Sequence, residues 1–144
     1  MIGPQGVDTL MKTVMRVALA LVVGAGVTAT AQAGAGSWST EASGLMVAMS
    51  DRASISQALS PPPLASIAQG HIERVHWRFE SPPGAGLYAW LCHGERCVEL
   101  DGQRGSTKAL GGLTARAPLE FRFALARGQR PVRVKGLHVI VNYQ

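Results

Sequence analysis

The chain has 144 residues, of which 47% are hydrophobic and 16% charged, and its formal net charge is +5 at pH 7. Once an N-terminal targeting segment is set aside, this length accommodates one ordinary domain and excludes a second. The sequence contains no dinucleotide-binding or phosphate-binding loop, so it gives no support to nucleotide-dependent chemistry.

The first 33 residues predict a cleaved signal peptide. Lys12 and Arg16 supply its positive segment, residues 17–29 its apolar segment, and Ala31-Gln32-Ala33 the small-x-small pattern that signal peptidase reads. The apolar run is shorter than the roughly 20 residues that a membrane-spanning helix requires. We therefore expect an exported chain that does not span a membrane after cleavage, with Met11 as an alternative start.

Cleavage after Ala33 would leave residues 34–144, which are 111 of the 144 residues, as a single domain. Export places Cys92 and Cys97 in an oxidising compartment, where a disulfide is the default state of two closely spaced cysteines. The sequence therefore predicts a Cys92–Cys97 disulfide.

The segment before residue 70 carries the weakest strand signals. Residues 34–37 predict a flexible lead-in to Trp38, and the apolar residues 44–49 predict a first strand. Residues 51–69 are rich in Ser and Ala and contain three consecutive prolines, which cannot donate hydrogen bonds to a sheet. We expect a long surface loop there, with one helical turn over residues 54–59 as an alternative.

Residues 74–80 have the alternation of a half-buried strand. Val75, Trp77 and Phe79 alternate with charged or polar residues, which indicates one apolar and one solvated face. The following Ser, Pro and Gly residues at positions 81–86 predict a turn that leads into the next strand.

A β-hairpin is predicted around the two cysteines. Cys92 and Cys97 bracket four residues that include a glycine, and residues 87–91 and 98–101 on either side have strand composition. If the cysteines face each other, the register pairs Leu91 with Val98, Trp90 with Glu99, Ala89 with Leu100 and Tyr88 with Asp101. The core-facing side then holds Leu91, Ala89, Val98 and Leu100, and the other side holds Tyr88, Trp90, Glu99, Asp101 and the cysteine pair.

The remainder of the chain predicts three or four more strands. Residues 106–110 form a plausible short strand that ends at two glycines, and residues 119–125 show the clearest amphipathic alternation in the chain. Residues 137–143 are β-branched and aromatic and should tie down the C-terminus. Residues 130–135 predict a further strand, with Gly136 marking a bend or bulge.

These patterns predict an all-β fold, either a small antiparallel β-sandwich or a partly open barrel with a disulfide-linked hairpin. Short strands recur between Gly and Pro turns, and no long 3.6-residue periodicity is present. The expected core comprises Val75, Trp77, Phe79, Leu91, Val98, Leu119, Phe121, Phe123 and Val141.

No arrangement of residues predicts an enzyme, a cofactor or a metal site. Glu99 and Asp101 share a hairpin face, as a glycosidase pair would, but two such carboxylates are more often a solvated strand face. Cys92, His93 and Cys97 lack a second ligand pair for zinc, and the Cys-x4-Cys spacing differs from the Cys-x-x-Cys of redox catalysts.

Two groups of residues are candidates for partner binding. Tyr88 and Trp90 offer flat aromatic rings for a binding platform, or else they fill the second face of a central strand. The densest charge run consists of Arg127, Arg130, Arg133 and Lys135. In an exported protein this run would meet an acidic partner or envelope phosphate rather than nucleic acid, or it would simply be solvated.

Three motifs in the second half of the chain resemble the flagellar protein FlhE family. They are LC-x4-CVELDGQ-x-GST at residues 91–107, APL-x-F at 117–121 and VIVNY at 139–143. The likeness is strong from Trp77 onward and weaker before residue 70, where the Trp38 region and Pro63-Leu64 also fit. This chain departs from the family in its triple proline and its basic run.

The resemblance implies a small periplasmic β-rich protein of the flagellar system. It implies binding to flagellar rod or export-apparatus proteins, with a chaperone-like role in assembly or a role in restraining proton leak through the flagellar type III export apparatus. It brings no known enzymatic site. The alternative from the residues themselves is a saccharide- or peptidoglycan-binding module that uses Tyr88, Trp90, Glu99 and Asp101.

Overall fold

The structure, a computed structural model, describes Gly26, Ile67 and residues 35–63 and 70–144. The predicted signal peptide therefore lies outside the described residues except for Gly26, and so does Leu64. All regular structure in the described ranges is β-strand, and none of these residues is helical. The strands are β1 (Gly36–Ala42), β2 (Leu45–Val47), β3 (Ser54–Ile55), β4 (Ile72–Glu80), β5 (Leu87–His93), β6 (Arg96–Glu99), β7 (Arg104–Thr107), β8 (Glu120–Leu125) and β9 (Val132–Tyr143).

The strands form two antiparallel sheets that do not close into a barrel, which confirms the sandwich form of the predicted fold. The large sheet has the order β1-β9-β4-β7, with β2 also paired to β9, and the small sheet has the order β3-β8-β5-β6. No helix among the described residues is long and apolar enough to cross a membrane.

The last strand, β9, lies in the middle of the large sheet. Its twelve residues include five valines or isoleucines, which favour a pleated, buried surface. On one side it pairs with β4, and on the other with β1 and β2. The predicted separate strands before and after Gly136 are thus one continuous strand.

Gly136 marks a β-bulge in β9, as the sequence predicts. Arg78 pairs with His138 and Glu80 with Lys135, so two residues of β9 lie opposite the single residue between them in β4. Gly136 has φ +63°, a conformation that glycine adopts without steric cost. The strand therefore bends here without ending.

Gly36–Ala42 is a strand, so the prediction of a flexible lead-in over residues 34–37 is wrong for its second half. β1 begins at Gly36, and Trp38 is buried and donates a hydrogen bond from Nε1 to the carbonyl of Ala115 over 3.0 Å. The small polar residues of β1 have low intrinsic strand propensity, so they gave little indication of a strand. Pairing with β9 holds β1 in place.

Two further local predictions differ from the structure. The alternative helical turn over residues 54–59 is wrong, because Ser54–Ile55 pairs with β8 and the amide of Leu59 donates to the carbonyl of Leu119 over 2.7 Å. The short strand expected at residues 106–110 is instead Arg104–Thr107, since the chain turns at Lys108, whose carbonyl accepts from the amide of Gly111.

The hairpin prediction is confirmed in its register. Cys92 pairs with Cys97, Leu91 with Val98 and Trp90 with Glu99, and a disulfide joins the two cysteines. The loop is tighter than expected, because His93 pairs with Arg96 and leaves two residues in the turn. Gly94 has φ +58°, which suits the first central position of a tight hairpin turn.

The core lies between the two sheets and contains the predicted residues. Val75, Trp77 and Phe79 enter it from the large sheet, and Phe121 and Phe123 enter it from the small sheet. Phe79 contacts both of the latter rings edge to face, at centroid distances of 6.1 and 5.1 Å. Val98 is only partly buried and packs at the margin of this core. Aromatic contact therefore joins the sheets at their centre.

Candidate partner-binding surface

The outer face of the small sheet presents two aromatic side chains of β5. Alternation along this strand buries Ala89 and Leu91 and turns Tyr88 and Trp90 to the opposite face. Tyr88 is 52% exposed, Trp90 is half-buried, and their ring centroids lie 6.3 Å apart with a tilt of 33°. The two rings form a partly exposed aromatic patch, and the platform hypothesis stays a prediction.

Charged side chains flank Trp90 on both neighbouring strands. Arg122 of β8 lies directly opposite it on one side and Glu99 of β6 on the other. The Arg122 guanidinium donates from Nε and Nη2 to Oε1 of Glu120, over 2.9 and 2.6 Å. This contact holds a cation beside the aromatic ring in a fixed position, because both partners are about seven-tenths buried.

An exposed apolar residue extends the same row of side chains. Ile55 of β3 pairs with Arg122 and is 55% exposed. The row across the small sheet is therefore Ile55, Arg122, Trp90 and Glu99, in that order. We call this row together with Tyr88 and Glu120 the outer aromatic face.

Ile55, Glu120 and Arg122 were not among the residues predicted for partner binding. The alternation of residues 119–125 already indicates that Glu120 and Arg122 point away from the core. The sequence did not predict that β8 pairs with β5, because these segments lie about 30 residues apart in the chain. Ile55 carried no signal, since a strand of two residues has no periodicity.

The disulfide lies at the end of the outer aromatic face. Cys92 is fully buried, Cys97 is exposed, and Glu120 pairs with Cys92 across the sheet. Close to the hairpin turn, the ring Nε2 of His93 lies 2.9 Å from the carbonyl oxygen of Thr114. The bridge and this contact fix the hairpin against its surroundings, so the aromatic pair is displayed on a well-defined strand.

The predicted carboxylate pair is not held on one strand. Glu99 ends β6, whereas Asp101 follows it outside the ladder, so the expected pairing of Tyr88 with Asp101 is absent from the hairpin. Both side chains are exposed, and within the described ranges neither takes part in an ion pair. No cluster of three His, Cys, Asp or Glu residues suited to a metal occurs in the part of the chain that the structure describes.

The basic run is divided between two parts of the fold. Arg127 and Arg130 are exposed in the loop between β8 and β9, beside the start of β5. Arg133 and Lys135 are exposed on β9, in the large sheet. The eight predicted contact residues therefore do not form one continuous surface.

Comparison with known proteins gives a consistent result. The family model described as Flagellar protein FlhE matches residues 44–144. Flagellar protein FlhE of Escherichia coli strain K12 is 39% identical over 95 residues, which cover 61% of this chain and 73% of that protein. Flagellar protein FlhE of Salmonella typhimurium strain LT2 is 38% identical over 107 residues, which cover 71% and 82%.

A solved structure has the same fold. It is described as Crystal Structure of FLHE, and it matches this chain with a TM-score of 0.68 at 36% sequence identity. The match covers 78% of this chain and 99% of the other.

The two sheets and the disulfide-linked hairpin define a small antiparallel β-sandwich with an aromatic and charged outer face. The family match extends over most of these strands, from just before β2 to the C-terminus. The chain belongs to the flagellar protein FlhE family. Membership supports a flagellar accessory role, and this family is not a known enzyme family.

Proposed function

We propose that this protein is a periplasmic flagellar accessory protein that binds flagellar rod or export-apparatus components through the outer aromatic face. The observation that carries the proposal is the pair of exposed Tyr88 and half-buried Trp90, set beside an arginine whose position Glu120 fixes. Tyrosine, tryptophan and arginine are the residues most enriched at the energetic centres of protein interfaces. Family membership supplies the flagellar context.

The proposed role is control of assembly, either as a chaperone for a rod component or by limiting proton leak through the flagellar type III export apparatus. Both roles require binding and no chemistry, which fits a surface built from aromatic and paired charged side chains. The predicted signal peptide supports the proposed periplasmic location. Fractionation followed by N-terminal sequencing tests it, with Gly34 expected as the first residue of the periplasmic form.

Binding assays with single purified rod and export-apparatus proteins test the surface. Tyr88→Ala should weaken binding by about tenfold or more, because truncation of an interface anchor typically has such an effect. Met46→Ala is the matched control, since Met46 is an exposed apolar residue of the large sheet with a similar exposed fraction, 50% against 52%. Equal affinity of the two variants for every component would contradict the proposed contact surface.

The saccharide-binding alternative has one specific observation in its favour. Trp90 lies directly opposite Glu99, so an aromatic ring and a carboxylate are adjacent on one exposed face. A sedimentation assay with purified peptidoglycan separates the two functions. Sedimentation that Tyr88→Ala abolishes, together with no binding to flagellar components, would favour the saccharide-binding module.

A further inference from the structure

A second candidate surface lies on the outer face of the large sheet. It is on the opposite side of the sandwich from Tyr88 and Trp90. A shallow groove of about 520 Å³ runs across β7, β4 and β9. Its lining includes His76, Arg78, Arg104, Ser106, His138 and Ile140. We call this surface the basic groove.

Two arginines of the basic groove face each other directly. Arg78 of β4 pairs with Arg104 of β7, and His138 of β9 lies on the other side of Arg78. Like charges at directly opposed positions of neighbouring strands destabilise a sheet. The arrangement therefore has a cost in the isolated protein that a bound anion would remove.

Internal carboxylates neutralise this pair only in part. Glu41 of β1 lies 3.6 Å from Arg78, but both side chains are well exposed, and such surface ion pairs contribute little. Among the residues that the structure describes, Arg104 has no carboxylate oxygen within 4.0 Å. At the far end of β4, Glu80 lies opposite Lys135 of β9 and, within the described ranges, forms no ion pair with Arg78 or Arg104.

The neighbouring row of side chains supplies hydrogen-bonding groups and an apolar floor. Ser39, Ile140, His76 and Ser106 follow one another across β1, β9, β4 and β7. Arg74 donates from Nη1 to the hydroxyl oxygen of Ser106 over 3.0 Å, which adds a third guanidinium beside the groove.

We propose that the basic groove binds an acidic protein segment in an extended conformation. Guanidinium groups pair with carboxylates through two parallel hydrogen bonds, and the groove presents them on adjacent strands. Residues two apart in an extended segment point the same way and repeat every 6.5–7 Å or so, about the distance between the two rows of the groove. A broad, shallow groove encloses no single small ion, whereas several carboxylates along one chain can contact both rows.

This inference does not depend on the flagellar role, because the partner is defined by its chemistry. The test is fluorescence anisotropy with a labelled octapeptide of alternating Glu and Ser, compared with the same peptide containing Gln in place of Glu. The purified protein should bind only the Glu peptide, and added salt should weaken the interaction. Arg104→Gln and Arg78→Gln should each reduce the affinity by about fivefold to tenfold.

Arg52→Gln is the matched control. Arg52 is exposed in the segment between β2 and β3, so this change removes the same charge away from the groove. The affinity of the Arg52→Gln variant for the Glu peptide should stay within twofold of the wild-type affinity. The melting temperature of Arg104→Gln should be unchanged or raised, since the substitution removes one of two opposed like charges.

Three results would overturn the proposal. The first is that the wild type does not bind the Glu peptide at low salt. The second is an equal loss of affinity in Arg52→Gln and Arg104→Gln, which would mean attraction by net charge alone. The third is binding to phosphatidylglycerol vesicles but not to the peptide, with Arg104→Gln abolishing it, which would assign the groove to a lipid surface.

Discussion

Removal of one aromatic ring from the centre of the sandwich tests the account of the core. Phe123 of β8 is fully buried, lies edge to face with Phe79 at 5.1 Å and stacks with Phe121 at 5.8 Å. Phe123→Ala leaves a cavity between the two sheets. The cavity can be filled only if the sheets shift relative to each other. Such truncations cost about 3–5 kcal/mol, of which each lost aromatic pair accounts for about 0.5–1.5 kcal/mol.

This magnitude is large relative to the stability of a domain of this size. Small domains have unfolding free energies of about 5–15 kcal/mol, so Phe123→Ala should remove about a fifth or more of the total and can remove all of it. With a urea dependence of roughly 1–3 kcal/mol per molar, the midpoint should fall by about 1–5 M. Tryptophan fluorescence during urea unfolding measures this midpoint, because Trp38 and Trp77 are buried in the folded protein and become exposed when it unfolds.

Tyr88→Ala is the control for this experiment. The same class of side chain is removed from an exposed position, so the free energy of unfolding should change by less than about 1 kcal/mol. A midpoint for Phe123→Ala that equals that of Tyr88→Ala would show that the aromatic contacts between the sheets do not hold the sandwich together.

Two further substitutions address specific contacts. In Gly105→Ala the new Cβ would lie 2.6 Å from the six-membered ring of Trp77. We expect displacement of the indole to lower the free energy of unfolding by about 1–3 kcal/mol. Ser106 is adjacent and exposed, so Ser106→Ala should change stability little. Equal melting temperatures of these two variants would contradict the close packing of Trp77 on Gly105. Replacing Cys92 and Cys97 by serine should cost only about 2 kcal/mol, because the bridge closes a short loop. Thermal melts of the oxidised wild type and the double variant measure this difference, and a variant that fails to fold would show that the bridge holds more than the hairpin.

The sequence predicted the strands whose side chains alternate. β4, β5, β6 and β8 each combine an apolar face with a polar one, so their positions and the hairpin register followed from local pattern. β1 was missed because most of its residues are small or polar and do not alternate with apolar ones, and pairing with β9 holds it extended. β3 was missed because two residues carry no period.

Both candidate surfaces are formed by strands that are distant in the chain and pair with each other. Local sequence patterns do not predict such pairing. Tyr88 and Trp90 were found from the hairpin itself. Arg122 reaches Trp90 only because β8 pairs with β5, and Arg104 faces Arg78 only because β7 pairs with β4. Outward residues could thus be predicted strand by strand, whereas their neighbours across the sheet could not.

The central position of the last strand dictates when the large sheet can assemble. β1, β2 and β4 are all held by β9, so none of these pairings can form until the final dozen residues of the chain are available. Folding must then close contacts between residues as far apart in the chain as Gly36 and Tyr143, which is a slow step for a β-protein. Until that step the earlier strands have exposed edges, and a protein missing its last few residues would keep them exposed permanently.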